Sequence, residues 1–429
     1  MKQVHLVVLC HGLWGNKSHL DYISKTLSKA HGEGVHVLNC KSNESAFTYD
    51  GIAICGQRLV EEIYHGYDDL IEKEYNVTSI SILGYSLGGL ISRYAIGVLY
   101  QDGFFDKVKP MHFYTFATPH LGVRSPNKTN MAKVFNYLCA RMLSHTGEQL
   151  QLADADEAGK PLLLAMAEPD STYYRGLSQF ATRTLYANVQ DDRSVPFWTG
   201  AIEESDPFTK IRELDLTFDQ DYESVVTAFS KADPIPPEPI PTLRQITNKI
   251  LFTTLVIFVF PLWFFVACST ITVQSLSSRV RVRKLLAKGL YSTRFITQRR
   301  PSTKEERAQE SESHENNQTS NVVDDTVLIP VLEAVNRPGQ QEPETNQHTS
   351  PHTSFTPTRS QLADNSVTPL PLTQIQQDIA RHLNRLGWNK YFVKIDAFNA
   401  HGAIVVRTRR FDHDQGKAVV QHFVDAFVL

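Results

Sequence analysis

Residues 79–89 read Ser-Ile-Ser-Ile-Leu-Gly-Tyr-Ser-Leu-Gly-Gly, and this stretch decides the fold. An apolar run typical of a buried strand leads into Gly84-Tyr85-Ser86-Leu87-Gly88, and a helical pattern follows from Leu90. A G-x-S-x-G motif between a strand and a helix is the sequence context of a nucleophile elbow. Glycines are needed there because a Cβ two residues from the serine would crowd the sharp turn. The stretch therefore predicts that Ser86 is a nucleophile at the carboxyl edge of a parallel sheet.

Strands and helices alternate on both sides of this motif. Apolar runs predict strands at 3–10, 34–39, 111–117, 184–189, 391–395 and 403–406, and helices at 17–30 and 51–74. Such alternation is typical of a parallel sheet covered by helices on both faces. Together with the elbow it predicts an α/β-hydrolase fold with a mostly parallel sheet. The core is expected to cover residues 1–232 and to resume at 372–429.

The chain between residues 123 and 371 departs from this alternation. Residues 123–180 contain helical apolar patches without a clear strand, which predicts a helical lid or cap over the site. A proline-rich linker (233–248), a hydrophobic segment (249–273) and a basic amphipathic flank (274–297) are expected to follow. Residues 298–371 are rich in Gln, Asn, Ser, Thr, Pro and Glu, and this composition predicts a disordered insert.

The hydrophobic segment predicts association with a membrane. From Ile250 to Cys268 only Thr253, Thr254 and Pro261 interrupt the apolar residues. At about 1.5 Å per residue, a helix of this length just crosses a hydrocarbon core of ~30 Å. Pro261 near its middle favours a kinked helix or a shallow hairpin in one leaflet, with the basic flank on anionic headgroups. A bilayer span and a buried core helix remain the alternatives.

Composition excludes some classes of function. The chain has 429 residues with 43 basic and 46 acidic side chains and no basic, aromatic-interleaved stripe, so a nucleic-acid partner is not expected. Its five cysteines lack C-x-x-C spacing and are expected to be reduced, as in a protein that faces the cytosol. Metal-ligand spacing is not found either, so neither a metal nor a cofactor is expected.

A serine nucleophile needs a base and an acid, which α/β-hydrolases supply in the chain order Ser, Asp or Glu, His. Asp192 follows the predicted strand 184–189 and is the expected acid, with Asp191 as the alternative. His401 lies late in the chain among small residues and is the expected base. His120 borders the same sheet edge and is its rival, although it precedes the acid.

Two backbone N–H groups are expected to form an oxyanion hole. The N–H of Leu87 lies at the start of the helix after the elbow, where the helix dipole favours negative charge. The N–H of Leu13 lies in the glycine-containing loop His11-Gly12-Leu13-Trp14-Gly15, after the first predicted strand. His11 is expected to hold this loop by hydrogen bonds.

Five motifs in order now resemble a known family. They are His11-Gly12-Leu13-Trp14-Gly15-Asn16, Gly84-Tyr85-Ser86-Leu87-Gly88-Gly89, Thr118-Pro119-His120-Leu121-Gly122, Asp192-Arg193-Ser194-Val195-Pro196 and Asn399-Ala400-His401. The series is similar to that of the putative serine esterase family of α/β-hydrolases, and most similar to its fungal lipid-droplet phospholipases. The resemblance implies release of fatty acids from glycerophospholipids and places Ser86, Asp192 and His401 on the family's nucleophile, acid and base positions. It covers about residues 3–210 and 372–428.

The expected function is therefore that of a serine-dependent lipid acyl hydrolase, a phospholipase, with a phospholipid as substrate. Residues 249–273 and the basic flank are expected to hold it on a lipid-droplet monolayer or an endoplasmic reticulum membrane, with the catalytic domain facing the cytosol. A neutral-lipid hydrolase, a small-ester hydrolase or a transacylase would use the same triad. The alternative from another class is a non-catalytic membrane scaffold on a hydrolase fold. Head-group preference, acyl position and oligomeric state stay open.

Overall fold

The computed structural model describes residues 2–125, 130–156, 159–233, 266, 268–289 and 370–429. Most of the predicted linker, the predicted hydrophobic segment up to residue 265 and almost all of the predicted insert 298–371 lie outside these residues.

The described residues form one eight-stranded sheet with the order β2-β1-β3-β4-β5-β8-β7-β6. The strands are β1 (Lys2–Cys10), β2 (Val35–Asn39), β3 (Tyr75–Tyr85), β4 (Lys109–Phe116), β5 (Thr182–Asn188), β6 (Leu214–Phe218), β7 (Val225–Lys231) and β8 (Asn389–Val393). The six strands from β2 to β8 in this order pair in parallel, and β7 and β6 add an antiparallel edge. The predicted α/β-hydrolase fold with a mostly parallel sheet is confirmed.

Helices connect and cover these strands. They are α1 (Asp21–His31), α2 (Ile52–Glu72), α3 (Leu87–Gln101), α4 (Asn130–Met142), α5 (Ser144–Leu150), α6 (Leu162–Ala165), α7 (Thr172–Ser178), α8 (Phe197–Gly200), α9 (268–287), α10 (Gln374–Asn384), α11 (Ala400–Ala403) and α12 (Asp414–Asp425). Short 3₁₀ helices lie at Lys17–Leu20, Gly32–Gly34, Ser45–Tyr49, Phe104–Asp106, Pro207–Glu213 and Arg409–Phe411.

The core lies on both faces of the sheet, which explains why its strands read as nearly continuous apolar runs. Side chains alternate across a strand, so Leu6 and Val8 of β1 pack on the face of α2 and α3. Leu9 packs on the opposite face, where α1 and α12 contribute Ile23 and Phe423. Burying a large aliphatic or aromatic side chain in this way stabilises the fold by about 1.5–3 kcal/mol.

Residues 403–406 are not a strand, and this prediction is wrong. Asn399 caps the short helix α11, and the chain then turns, with Val406 at a φ of 52°. A short apolar run cannot be assigned to a strand or to a buried helix by periodicity alone. The antiparallel strands β6 and β7 were not predicted, because half-exposed residues replace the apolar runs there.

The region of the predicted cap contains α4 to α7 and, among its described residues, no strand. Helix α9 packs against the region of the predicted cap through Ile271, which lies in one apolar cluster with Tyr49, Cys139 and Leu143. Within the described part of the chain, no helix is both long enough and apolar enough to cross a membrane. The five cysteines are free thiols, and all except Cys268 are buried.

Candidate active site

Ser86 stands at the turn between β3 and α3. Its φ of 55° and ψ of −127° are unusual for a residue with a side chain, as expected for a strained nucleophile elbow. The Ser86 N–H donates to the carbonyl oxygen of Phe116 at 2.9 Å, which ties the elbow to the end of β4. The position of the serine is therefore fixed by the sheet.

Glycines allow the elbow to pack directly against the end of β1. A Cβ on Gly12 would lie 2.6 Å from the Cβ of Ser86, and a Cβ on Gly88 would overlap the carbonyl oxygen of Cys10. A Cβ on Gly84 would lie within 2.5 Å of the backbone nitrogen of Gly89. Close approach of backbone to backbone explains why the motif tolerates no side chain at these positions.

His401 lies between Ser86 and Asp192. Its Nε2 is 3.0 Å from Ser86 Oγ, and its Nδ1 is 3.0 Å from Asp192 Oδ2. The side chains of His401 and Asp192 are only 6% and 3% exposed. The structure therefore brings the three residues predicted from the sequence into one hydrogen-bonded line, within the distances needed for proton transfer.

The backbone around His401 is held from two sides. The Asn399 side chain caps α11 by accepting from the N–H of Gly402 at 3.0 Å. The Tyr85 hydroxyl, from the residue before the nucleophile, donates to the carbonyl oxygen of His401 at 2.8 Å. Neither residue was assigned a role from the sequence. Asn directly before a short helical segment is the signal that could have indicated the cap.

Asp192, not Asp191, is the carboxylate beside His401. Asp192 Oδ1 accepts from the N–H groups of Ser194 and Val195 at 3.1 and 2.8 Å, and Oδ2 accepts from the Asn188 amide at 2.8 Å. These donors leave Oδ2 facing the imidazole. These three hydrogen bonds fix the orientation of the carboxylate, so that Oδ2 is the acceptor beside Nδ1.

The neighbouring Asp191 turns away from the imidazole. Its backbone has a φ of 58°, and its side chain accepts from the Gln190 amide at 2.8 Å. Burial raises the pKa of the Asp191 carboxyl. Its carbonyl oxygen accepts from the N–H of Ala400 at 3.2 Å. The Asp191 backbone therefore connects the loop that carries Asp192 (the acid loop) with the loop that leads to His401 (the base loop).

The rival base, His120, is a core residue. It is fully buried, its Nε2 lies 3.1 Å from Thr115 Oγ1, and its ring meets Trp388 edge to face. Burial, first of all, and the nearby charge of Arg93 hold the pKa of His120 well below its usual value. Desolvation of this kind favours a neutral ring that packs in the core.

The two predicted oxyanion donors border Ser86. Leu87 is the first residue of α3, whose first N–H groups have no partner within the helix. Leu13 follows Gly12 in a turn that is closed by the hydrogen bond from Gly15 N to Gly12 O, at 3.0 Å. His11 Nδ1 lies 3.1 Å from Gly12 O, and burial lowers the His11 pKa, so a neutral ring supports this loop. The oxyanion role of both N–H groups stays a prediction.

Aromatic and apolar side chains lie on the surface near these loops. Phe398 is 60% exposed, and the guanidinium of Arg193 lies 4.0 Å from its ring centre, a cation–π contact between the acid loop and the base loop. Val134, Tyr137 and Leu138 of α4 are also exposed. In the described part of the chain, no three His, Cys, Asp or Glu side chains are grouped to hold a metal ion.

A protein-family model matches the N-terminal part of the chain. Residues 1–206 match the family model described as Putative serine esterase (DUF676), which confirms for this region the resemblance seen in the sequence motifs. The match includes Ser86 and Asp192, whereas His401 and α9 lie beyond it.

Two curated relatives come from yeasts. "Putative lipase ROG1" of Saccharomyces cerevisiae is 36% identical over 208 residues, which is 47% of this chain and 29% of the relative. "Putative lipase C4A8.10" of Schizosaccharomyces pombe is 33% identical over 215 residues, or 48% of this chain and 27% of the relative. The matched region thus spans less than a third of the length of either relative.

Solved structures show a weaker likeness. "Phospholipase PlaB from Legionella pneumophila in complex with thio-NAD" is 14% identical, with a TM-score of 0.30, covering 56% of this chain and 52% of that chain. An extracellular α/β-hydrolase from a Paenibacillus species is 16% identical, with a TM-score of 0.26, covering 44% and 80%. At these scores the likeness carries no conclusion about activity.

Proposed function

We propose that this protein, whose residues 1–206 match the putative serine esterase family, hydrolyses fatty-acyl esters of glycerophospholipids at a lipid surface. The observation that supports ester hydrolysis most directly is the line of hydrogen bonds from Ser86 Oγ through His401 to Asp192 Oδ2, each 3.0 Å long. This geometry suits transfer of the serine proton to a base whose tautomer is fixed by a carboxylate.

The reaction would proceed in two steps. His401 Nε2 takes the proton of Ser86 as Oγ attacks the ester carbonyl, and the N–H groups of Leu13 and Leu87 stabilise the oxyanion. The protonated imidazole then gives its proton to the departing alcohol, which leaves an acyl-Ser86 ester. In the second step His401 activates a water molecule that attacks this ester and releases the fatty acid. Asp192 holds the imidazolium without taking its proton.

The choice of a lipid substrate rests on the surface around the site and on the sequence beyond it. On α9 the exposed residues Val273, Leu276 and Val280 recur at helical spacing, and α4 exposes Val134, Tyr137 and Leu138. The two helices meet at the apolar cluster of Ile271, Cys139 and Leu143. Exposed apolar helix faces beside a hydrophobic segment are typical of proteins that lie on a membrane interface.

Association with a droplet monolayer or the endoplasmic reticulum is part of the same proposal. The exposed cations Arg283 and Lys284 of α9, and Lys288 directly after it, suit anionic headgroups. Arg279 and Arg281 do not belong to this surface, because Arg279 pairs with Glu148 of α5 and Arg281 pairs with the buried Asp50. A monolayer has no aqueous far side, so a hairpin fits a droplet better than a spanning helix.

The test of the chemistry is fatty-acid release from phosphatidylcholine vesicles by the purified full chain. Replacing Ser86 by Ala should lower the rate by about 10³-fold or more, because nucleophile and base act as a unit. An unchanged rate would disprove the mechanism. Triacylglycerol emulsion and a short-chain ester, assayed side by side, would reveal a neutral-lipid or small-ester hydrolase. Failure of a fluorophosphonate probe to label Ser86 would favour a non-catalytic scaffold.

The test of lipid association is flotation of the full chain with phospholipid-coated oil droplets. Replacing Val273, Leu276 and Val280 together by Asn should weaken flotation, because these side chains are 63%, 59% and 51% exposed and would lose apolar contact with the lipid. Replacing the exposed Val428 by Asn, at the end of the chain, is the control and should leave flotation unchanged. Equal flotation of all three proteins would contradict this part of the proposal.

A further inference from the structure

Asp50 is a buried carboxylate that joins α9 to the hydrolase core. Its side chain is fully buried. It accepts from Arg58 Nη2 of α2 at 2.7 Å. From α9 it accepts three more hydrogen bonds: Ser278 Oγ at 2.7 Å, Arg281 Nε at 2.8 Å and Arg281 Nη2 at 2.6 Å. Three of these four hydrogen bonds, and one of the two arginines that neutralise the carboxylate, thus come from a helix outside the region that matches the serine esterase family.

The contact of α9 extends beyond Asp50. Arg281 Nη2 also donates to the carbonyl oxygen of Ala46 at 3.0 Å, and its guanidinium lies 4.6 Å from the ring centre of Phe47. Ser278 is fully buried and accepts from Ser144 Oγ at 3.3 Å. Buried apolar side chains lie on either side of this polar contact, Ile271 before it and Val282 after it. α9 is therefore docked by buried polar groups as well as by apolar packing.

The 3₁₀ helix Ser45–Tyr49, which α9 contacts, also holds the loop of residues 11–15 that carries the predicted oxyanion donor Leu13 (the oxyanion loop). Trp14 donates through its N–H to Thr48 Oγ1 at 3.1 Å and through Nε1 to Tyr49 OH at 2.7 Å. The Ser45 N–H donates to the carbonyl oxygen of Gly15 at 2.8 Å. These three hydrogen bonds act on the residues directly after Leu13. Asp50 ends the same 3₁₀ helix, with its N–H donating to Phe47 O at 3.2 Å.

The Asp50 carboxylate couples the docking of α9 to the position of the oxyanion loop. Removing one member of a buried ion pair is strongly destabilising, because the remaining charge stays buried without its partner. Without α9, Asp50 would keep only Arg58 and would have to turn towards water. Because Asp50 is continuous with Ser45–Tyr49, that movement would loosen the hydrogen bonds that hold Trp14 and Gly15.

We infer that Arg281 is a positioning residue for the oxyanion loop, acting through Asp50 and the 3₁₀ helix Ser45–Tyr49. The helix that follows the hydrophobic segment thereby supports the chemistry at Ser86 even when no lipid surface is present. The catalytic part of this inference rests on the proposed esterase function, whereas the support of the loop does not.

The test replaces Arg281 by Met in the full chain and measures two independent quantities. Hydrogen exchange at the amides of residues 13–15 should become at least about tenfold faster, because local opening is controlled by the contacts that are lost. Turnover of a water-soluble butyrate ester should show a kcat about tenfold lower with KM within about threefold, because a misplaced oxyanion donor weakens only the transition state. Arg281→Lys should bring both the exchange rate and kcat part of the way back to the wild-type values, because Lys keeps the positive charge but cannot form the two parallel hydrogen bonds of a guanidinium.

The control is Arg381→Met, which removes an arginine from an exposed pair with Asp378 on α10 and should change neither quantity. If Arg281→Met fails to fold, Ser278→Ala removes one hydrogen bond to Asp50 and should raise exchange at residues 13–15 about two- to threefold. Unchanged exchange in a folded Arg281→Met or Ser278→Ala protein overturns the inference. A wild-type protein without esterase activity would refute the proposed function instead, and exchange would still decide the role of Arg281.

Discussion

Replacing Asp192 by Asn should abolish nearly all turnover while leaving the fold intact. Asp192 Oδ1 accepts from two backbone N–H groups, so the amide oxygen of the new side chain must take this position. The NH₂ group then lies where Oδ2 stood, facing His401 Nδ1 at 3.0 Å and the Asn188 amide donor at 2.8 Å. A donor at that place forces the imidazole to carry its proton on Nε2, which faces Ser86 and can no longer accept the serine proton.

The expected loss follows from this wrong tautomer. The same substitution in serine proteases lowers kcat by about 10⁴ with unchanged geometry. A loss of 10³ to 10⁴ here corresponds to about 4–5.5 kcal/mol of transition-state stabilisation. We expect kcat for a butyrate ester to fall by this amount at pH 7.5, and the rate of labelling by a fluorophosphonate probe to fall in parallel.

Asp191→Asn is the matched control, because it removes the neighbouring charge. The Asp191 side chain accepts from Gln190, and its backbone oxygen, which accepts from Ala400, is kept in the variant, so the substitution should alter kcat by less than about threefold. Melting temperatures of both variants would show that they are folded. The reasoning is refuted if Asp192→Asn keeps more than about a tenth of the wild-type kcat, or if Asp191→Asn loses as much.

Three further predictions concern the support of the site and the stability of the fold. Gly12→Ala should lower kcat by about 100-fold or more in a folded protein, because the new Cβ would lie 2.6 Å from the Cβ of Ser86; equal turnover would contradict the close packing of the elbow. Asn399→Ala should cost about 1 kcal/mol of unfolding free energy and should lower kcat, since the cap on Gly402 N–H is lost; Asn399→Asp, which can keep the cap, should retain most of the stability. Burial lowers the pKa of His5 to about 4 and that of His19 to about 3 in the folded protein. Below pH ~6.5 the unfolded state therefore binds more protons than the folded state. As the pH falls from there to its folded pKa, each histidine should lower the free energy of unfolding by up to about 1.4 kcal/mol per pH unit. Urea unfolding at pH 7.5 and 5 would measure this loss, and His5→Gln should reduce the slope; a slope identical to that of the wild type would argue against a buried neutral His5.

The fold could be predicted from the sequence because its signals are local. The elbow at 79–89 needs only a strand, a tight turn and a helix, and each is encoded within a few residues. Buried strands such as β1 read as apolar runs, and the alternation of such runs with helical patterns indicates a parallel sheet. The failures also have a local cause. At 403–406 the apolar residues belong to a buried turn after α11, and periodicity does not distinguish this from a strand.

The candidate triad could be proposed because its chain order is constrained. Ser86, an acid after a later strand and a histidine near the end of the chain follow the order that the fold requires. The sequence favoured Asp192 but left Asp191 as the alternative, because the two carboxylates are adjacent and the chain order is the same for both. Asp191 adopts a φ of 58°, and the N–H groups of Ser194 and Val195 orient its neighbour.

The sequence by itself determined the strand–elbow–helix unit, the alternation that builds the sheet and the candidate residues for each step of the chemistry, since these depend on interactions between near neighbours. Only the tertiary structure decided which carboxylate faces His401 across 209 positions, and that Arg281 of the basic flank pairs with the buried Asp50. A sequence pattern records which side chains are available. A buried charge chooses its partner by distance and desolvation, and these are set only when distant segments of the chain have packed together.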